Sequence, residues 1–347
     1  MGTKASVESI PFGDRRIGKG HPTLLIAEVG VNHEGDVEVC ADMIRAAAKA
    51  GADSIKLQTI DADENYVRGT ASYELFSQAA LSPDETARMF DLTRKLGMEP
   101  FTTAADFATI DWVEKLDPAA HKVSSGMMTN TPIVSYVAAT GRSVLISTGM
   151  AEVSEIDETV ECARKSGSGN LGLFQCTSEY PAPIETLNLS AMSWFRDRYG
   201  VPIGFSDHSL GTEAPVLSVA AGATMIEKHF TLDTTKPSFD HGISLNPAGF
   251  AELATRVRRA ETMLGTADRL LSSKEHEKRA LMHRILVARV PIAPGDTFNA
   301  KNVGFKRPLP GTVGLPPHDY EKVLGQIARC ELSMDDAITP LALGGEI

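Results

Sequence analysis

Three lysines stand where an apolar chain would not keep them without a partner. Lys56 lies in the run Ser54–Leu57, Lys122 in His121–Ser124, and Lys228 in Met225–Phe230. A buried ammonium group is costly unless something negative pairs with it. Three of them converging on one pocket predict an anionic ligand, phosphate or carboxylate. Ion pairs with Glu28 or Glu227 are the competing use. His208 and His229 close two successive apolar runs. Two imidazoles at matching heights on neighbouring strands could hold a divalent metal, with Glu227 assisting directly or through water. A hydrogen-bonded polar residue is the plainer reading of any histidine at a strand end, and His33 and His241 are left at it.

The elements that must position these residues follow from periodicity. Short apolar runs alternate with amphipathic ones over residues 24–264. The spacing predicts strands at Leu24–Val29, Ser54–Leu57, Glu99–Thr103, His121–Ser124, Ser143–Ser147, Leu171–Gln175, Val201–Phe205 and Met225–Phe230. Helices are expected between them, stopped by Gly51, Gly97 and Gly141. Ser82-Pro83-Asp84-Glu85 reads as a capping box with proline at the first helical position, and Ser154 with Asp157 is expected to cap a later helix. Eight strand-helix units predict an α/β fold, a (β/α)8 TIM barrel, with a doubly wound sheet as the alternative. Glu28, Lys56, Gln58, Thr103, Lys122, Ser125, Ser147, Ser178, Ser206 and His208 then all fall at or near carboxyl-terminal strand ends, where barrel enzymes assemble their sites. The composition changes after Leu270. A charged stretch over Ser272–Arg284 reads as a linker helix, and short strands with turns follow from Ile285. The expected division is a barrel over 1–270, a linker over 271–284 and a small β-rich domain over 285–347.

The 347 residues carry a formal net charge of −11. That balance argues against nucleic acid or an anionic membrane as partner. Four cysteines without CxxC spacing suit a reducing cytoplasm. Met1–Ser6 fits the loose myristoylation pattern, but no apolar run is long enough to cross a membrane.

Several segments resemble the N-acetylneuraminate (sialic acid) synthase family. They are Ile26-Ala27-Glu28-Val29-Gly30-Val31-Asn32-His33-Glu34-Gly35, Lys56-Leu57-Gln58-Thr59, Leu145-Ile146-Ser147-Thr148-Gly149-Met150, Cys176-Thr177-Ser178-Glu179-Tyr180-Pro181, Gly204-Phe205-Ser206-Asp207-His208 and Glu227-Lys228-His229-Phe230-Thr231-Leu232-Asp233. The tail from Ile285 resembles the family's antifreeze-like (SAF) domain. The resemblance implies condensation of phosphoenolpyruvate with an open-chain N-acylated aldose, giving a nonulosonic acid and phosphate. It implies phosphoenolpyruvate binding by Lys56, Thr103, Lys122, Ser125, Ser147, Ser178 and Ser206, and sugar binding by Gln58, Tyr180, Asp240 and Arg307. His208 and His229 would hold Mn2+ or Mg2+, and Glu28 would handle a proton or order water. Arg307 resembles an arginine that enters the partner subunit's site, which implies a domain-swapped homodimer.

Some positions depart from the family pattern. Ser125-Gly126-Met127 stands for Ser-Gly-Glu, Thr102-Thr103-Ala104-Ala105 loses an aromatic, and Gly69 or Thr70 lies near an expected asparagine. The segment after Arg307, Leu309–Gly314, is longer than the usual turn. Met127 in place of a carboxylate suggests a less hydroxylated acceptor, such as a deoxy sugar. Two rivals remain: a Schiff-base pyruvate aldolase using one of the lysines, and a non-catalytic sugar-phosphate binding protein.

Overall fold

The computed structural model describes residues 8–237, 239–266 and 268–345; Met1–Ser6 lies outside them. The chain divides into two compact units, Met1–Gly265 and Thr266–Ile347.

In the first unit, strands β1 (Ser9–Phe12) and β2 (Arg15–Gly18) form an antiparallel hairpin that the sequence reading had not expected. Then come β3 (Leu24–Gly30), β4 (Ser54–Thr59), β5 (Glu99–Ala104), β6 (His121–Val123), β7 (Val144–Ser147), β8 (Leu171–Cys176), β9 (Ile203–Asp207) and β10 (Met225–His229). These eight pair in parallel and in chain order, and β10 closes on β3. Parallel strands covered on both faces read as continuous apolar runs, and every residue of β3 is buried. The fold is the expected TIM barrel.

Local chemistry sets the helix ends. The Asp36 carboxylate accepts the N–H groups of Glu38 (2.9 Å) and Val39 (3.1 Å) and starts Val37–Lys49. Ser82 and Glu85 form the expected capping box of Pro83–Lys95. The helix expected to start at Ser154 instead spans Val153–Lys165, because the Glu155 carboxylate reaches back to accept the Glu152 N–H at 2.8 Å. Two further helices, Ala62–Asn65 and Ala71–Ala79, lie between β4 and Pro83–Lys95.

The barrel interior has two levels. At its amino-terminal end, Ile10, Phe12 and Ile17 of the hairpin pack with Ile26, Phe101, Leu145, Phe174 and Met225. Gly204 makes room for this plug: a Cβ there would lie 2.3 Å from Met225 Cγ and 2.7 Å from the Phe174 ring. Above the plug, at the carboxyl-terminal ends, the inward side chains turn polar.

The second unit contains a helix, Ser273–Met282, whose capping box pairs Ser272 with Glu275. It also contains an antiparallel pair, β11 (Ile285–Ala288) and β12 (Val303–Lys306). Isolated bridges such as Ile292 to Leu332 extend the β character, around a core that includes Leu286, Phe298, Val303 and Ile338.

Candidate active site

Strand register assembles the site. Glu28 stands between Lys56 on β4 and His229 on β10, Gln58 pairs with Thr103, Thr103 with Lys122, and Ser206 with Glu227. A cavity of about 340 Å³ opens at this end of the barrel. Its walls include Glu28, Lys56, Gln58, Thr103, Lys122, Ser125, Ser147, Ser178, Tyr180, Ser206, His208, His229 and Asp240, so the structure brings together every site residue expected within the barrel. Arg307 lies in the second unit, just after β12, where its side chain is exposed.

Glu227 is the hub, in the ion-pairing role that the sequence offers as the competing use of the lysines. Its Oε1 accepts from Lys56 Nζ (2.9 Å), Lys122 Nζ (2.8 Å) and Ser206 Oγ (3.1 Å), and its Oε2 accepts from Lys122 Nζ at 2.9 Å. Lys56 Nζ also lies 3.1 Å from Glu28 Oε2, while Gln58 Nε2 donates to Glu28 Oε1 at 2.9 Å. Lys122 Nζ sits 5.0 Å above the Phe174 ring of the plug. All four charged groups are buried. Burial pushes the Glu28 carboxyl up to about 7, with Lys56 opposing. Burial likewise pushes Lys122 down to about 8 against the pull of Glu227. The two lysines hold the Glu227 carboxyl well below the usual carboxylate range, overcoming its burial.

Lys228 corrects the expectation of three converging lysines. Side chains alternate along a strand, so Glu227 and His229 facing inward turn Lys228 outward. There it is fully buried and paired with Asp207 at 2.7 Å.

Donors surround the ammonium groups. Thr103 Oγ1 and Ser147 Oγ are buried without a hydrogen-bond partner in the protein. Ser125 Oγ accepts the Gly149 N–H at 3.0 Å. A Cβ on Gly149 would lie 2.3 Å from Ser178 Oγ and 2.8 Å from Ser125 Oγ, so only glycine leaves these hydroxyls in place.

Opposite them stand the two imidazoles, with ring centroids 5.3 Å apart. His208 Nδ1 lies 2.7 Å from the Thr177 carbonyl oxygen, a contact that fixes the Nδ1–H tautomer and leaves Nε2 as a lone-pair donor. His229 Nδ1 is buried and unpartnered, 3.5 Å from Asp240 Oδ2. Burial pushes both rings down, His208 to about 4 with His229 adding, and His229 to about 3 with Lys56 adding. Both are therefore neutral at physiological pH, as a metal ligand must be. Among the described residues no group of three His, Cys, Asp or Glu side chains is arranged to hold an ion. Two imidazoles are one protein ligand short of the usual open catalytic site, so a cation here would draw its remaining ligands from substrate and water.

The Tyr180 ring stacks on His208 at 4.1 Å. Asn32 ties the neighbouring loops together, donating to the Phe230 carbonyl oxygen (3.0 Å) and accepting the Asp240 N–H (3.0 Å). His241 binds Thr231 and Glu34 outside the cavity.

The remaining wall was not read from the sequence. It contains Ile60, Tyr66, Phe76 and Met150, with Tyr66 stacked on Phe76 at 5.2 Å. Met127, Ala105 and Gly69, taken as sugar-side changes, are absent from the lining. Met127 packs instead against the main barrel core.

The model of the NeuB family matches residues 43–269, and that of the SAF domain matches residues 283–343. The chain belongs to the NeuB family. It is 38% identical over 302 residues to an uncharacterized protein of Methanocaldococcus jannaschii, covering 87% of this chain and 90% of that one. It is 33% identical to the N,N'-diacetyllegionaminic acid synthase of Legionella pneumophila, covering 91% and 93% of the two chains. The crystal structure of N-acetylneuraminic acid (sialic acid) synthetase from Leptospira borgpetersenii superposes with a TM-score of 0.75 at 32% identity, over 79% of this chain and 96% of that one.

Proposed function

We propose that this NeuB-family chain condenses phosphoenolpyruvate with the open-chain aldehyde of an N-acylated aldose, releasing phosphate and a nonulosonic acid. The observation that carries this reading is the pair of buried, unpartnered hydroxyls, Thr103 Oγ1 and Ser147 Oγ, beside Lys122 and facing two neutral imidazoles. Lys56, Lys122, Thr103, Ser125, Ser147, Ser178 and Ser206 would bind the phosphate and carboxylate of phosphoenolpyruvate as fixed donors. Its enol carbon forms the new bond to the aldehyde carbon, and the aldehyde oxygen takes a proton. Water adds to the former enol-ether carbon and loses a proton. The C–O bond to phosphate then breaks as the new hydroxyl gives its proton to the departing phosphate, leaving a ketone. Glu28, at about 7, exchanges a proton near neutrality and is the group assigned to the attacking water. His208 and His229 would hold Mn2+ or Mg2+, which supplies Lewis-acid polarisation of the aldehyde oxygen when bound.

The acceptor would lie against Gln58, Tyr180 and Asp240 on one side and Ile60, Tyr66, Phe76 and Met150 on the other. An apolar wall of that extent favours a deoxy sugar carrying acylamino groups, and the relative named as a diacetyllegionaminic acid synthase supports the same class. Phosphate release from phosphoenolpyruvate across an aldose panel, with and without Mn2+, tests both parts. No release with any aldose overturns the enzyme, and turnover only with N-acetylmannosamine overturns the deoxy acceptor.

One observation favours a second reading. Lys122, pushed down to about 8, is the amine that a Schiff-base pyruvate aldolase would use. Inactivation by borohydride in the presence of pyruvate, with activity surviving a chelator, would select it. A homodimer with Arg307 entering the partner's site is part of the proposal. Mixing inactive Arg307→Ala and His208→Ala chains should then regenerate activity. Four free cysteines fit a cytoplasmic setting, and among the described residues no helix is long and apolar enough to cross a membrane.

A further inference from the structure

Lys228 and Asp207 take no part in the cavity, yet they form a fully buried ion pair in the barrel wall, both side chains at 0% exposure. The two residues face each other across the β9–β10 ladder. A buried ion pair is weak evidence for stability, since well-packed apolar residues of similar volume often serve as well or better. The backbone ladder already holds the two strands in register. The contacts of the pair show what else it does. Lys228 Nζ donates to Asp207 Oδ2 at 2.7 Å and to the Ser209 carbonyl oxygen. Asp207 Oδ1 accepts the Ser209 N–H at 2.8 Å. The peptide is therefore gripped on both sides of His208, at residues 207 and 209. The gripping side chain belongs to the residue directly before His229.

β9 ends at Asp207, so His208 lies just beyond the ladder, where its carbonyl oxygen accepts the Ala182 N–H at 3.0 Å and its Nδ1 meets the Thr177 carbonyl oxygen. His229 is the last residue of β10 and is held by that ladder. Without the clamp, one imidazole would stand on a strand and the other on a turn held from one side, by Thr177 and Ala182 of the segment after β8. We propose that Lys228, through Asp207 and Ser209, is a positioning residue that sets the height of His208 relative to His229 and so the affinity of the two-imidazole site for a divalent cation. This rests on the reading of His208 and His229 as the cation ligands.

The test is direct titration of the intact chain with Mn2+, reading free ion by electron paramagnetic resonance. The variants are Lys228→Met paired with Asp207→Leu, Lys228→Arg, and His208→Ala. Loss of an outer-shell partner weakens metal affinity roughly 10- to 100-fold. The paired apolar variant should show that weakening, with the melting temperature held within a few degrees. Its KM for phosphoenolpyruvate should not move, and its kcat should return when Mn2+ is raised to saturation. Lys228→Arg keeps the charge and the donors and should recover most of the affinity. If the paired variant fails to fold, Lys228→Met with Asp207→Asn, which removes both charges and keeps size and one acceptor at 207, gives the same comparison. Wild-type Mn2+ affinity in the folded apolar variant overturns the clamp. So does a loss of phosphoenolpyruvate affinity that saturating Mn2+ does not relieve. His208→Ala separates the two levels. If it leaves Mn2+ binding intact, the ligand assignment fails and the clamp with it. If it abolishes binding while the paired variant binds normally, the clamp alone fails.

Discussion

The two sides of the cavity are built differently. The proposed anion side draws Glu28, Lys56, Thr103, Lys122, Ser147, Ser206 and Glu227 from β3, β4, β5, β6, β7, β9 and β10, interlocked by the strand register, with Ser125 and Ser178 added from the turns beyond β6 and β8. The proposed acceptor side takes Gln58 from β4 but draws Tyr66, Phe76, Met150, Tyr180 and Asp240 from segments outside the strands or from a short outer helix. Loops vary where scaffolds persist. One side can thus hold a reaction constant while the other changes which sugar takes part.

Substitutions can break that comparison. The largest effect is expected at the hub. Glu227→Gln leaves two ammonium groups short of a shared counter-charge. Breaking a buried ion pair costs ~3–5 kcal/mol, so the melting temperature should fall and phosphate release should vanish with every aldose. Glu28→Gln should cost ~10²–10⁴ in kcat, the usual contribution of general acid–base catalysis. The wild-type rate should be lost as pH falls through about 7, since the carboxylate is the accepting form, and the variant should lack that limb of the pH profile. Thr103→Ala and Ser147→Ala remove hydroxyls that no protein group engages. Stability should hold while KM for phosphoenolpyruvate rises ~10- to 100-fold, matching ~1.5–3 kcal/mol for a hydrogen bond to a charged group. Gly149→Ala should raise the same KM by roughly tenfold, through ~1–3 kcal/mol of overpacking against Ser125 and Ser178. The smallest effect belongs to the acceptor side. Phe76→Leu should shift the ratio of kcat/KM between two aldoses by about tenfold and leave the phosphoenolpyruvate KM unchanged. A sugar-preference change in the strand-borne variants, or a uniform loss with Phe76→Leu, would erase the distinction.

The same difference explains what could be read in advance. Strands buried on both faces read as apolar runs, so Lys56, Lys122 and Glu28 stand out by their cost alone. That cost does not say which face a residue takes, and so Lys228 was grouped with the wrong partners. The alternation that puts Glu227 and His229 inside corrects it. Glu227 carries the same signal as the lysines, and of its two expected uses, ion-pair partner and aid to a metal, the structure shows the first. Tyr66 and Phe76 gave no signal, because an aromatic residue just after a short helix or within one becomes a wall only when that segment docks. Met127 shows the reverse error: a departure from a family pattern need not face the cavity at all. The hairpin of β1 and β2 went unread because two four-residue strands carry too little periodicity to distinguish them from turns.

That hairpin also sets an order of events. Ile10, Phe12 and Ile17 pack inside the barrel below Lys122, and among the described residues the cavity opens at the upper end. On the proposed function, phosphoenolpyruvate among the strand-borne donors would arrive before the sugar, and the phosphate left there would leave after the longer product. Steady-state kinetics should therefore show a fixed queue, phosphoenolpyruvate first in and phosphate last out.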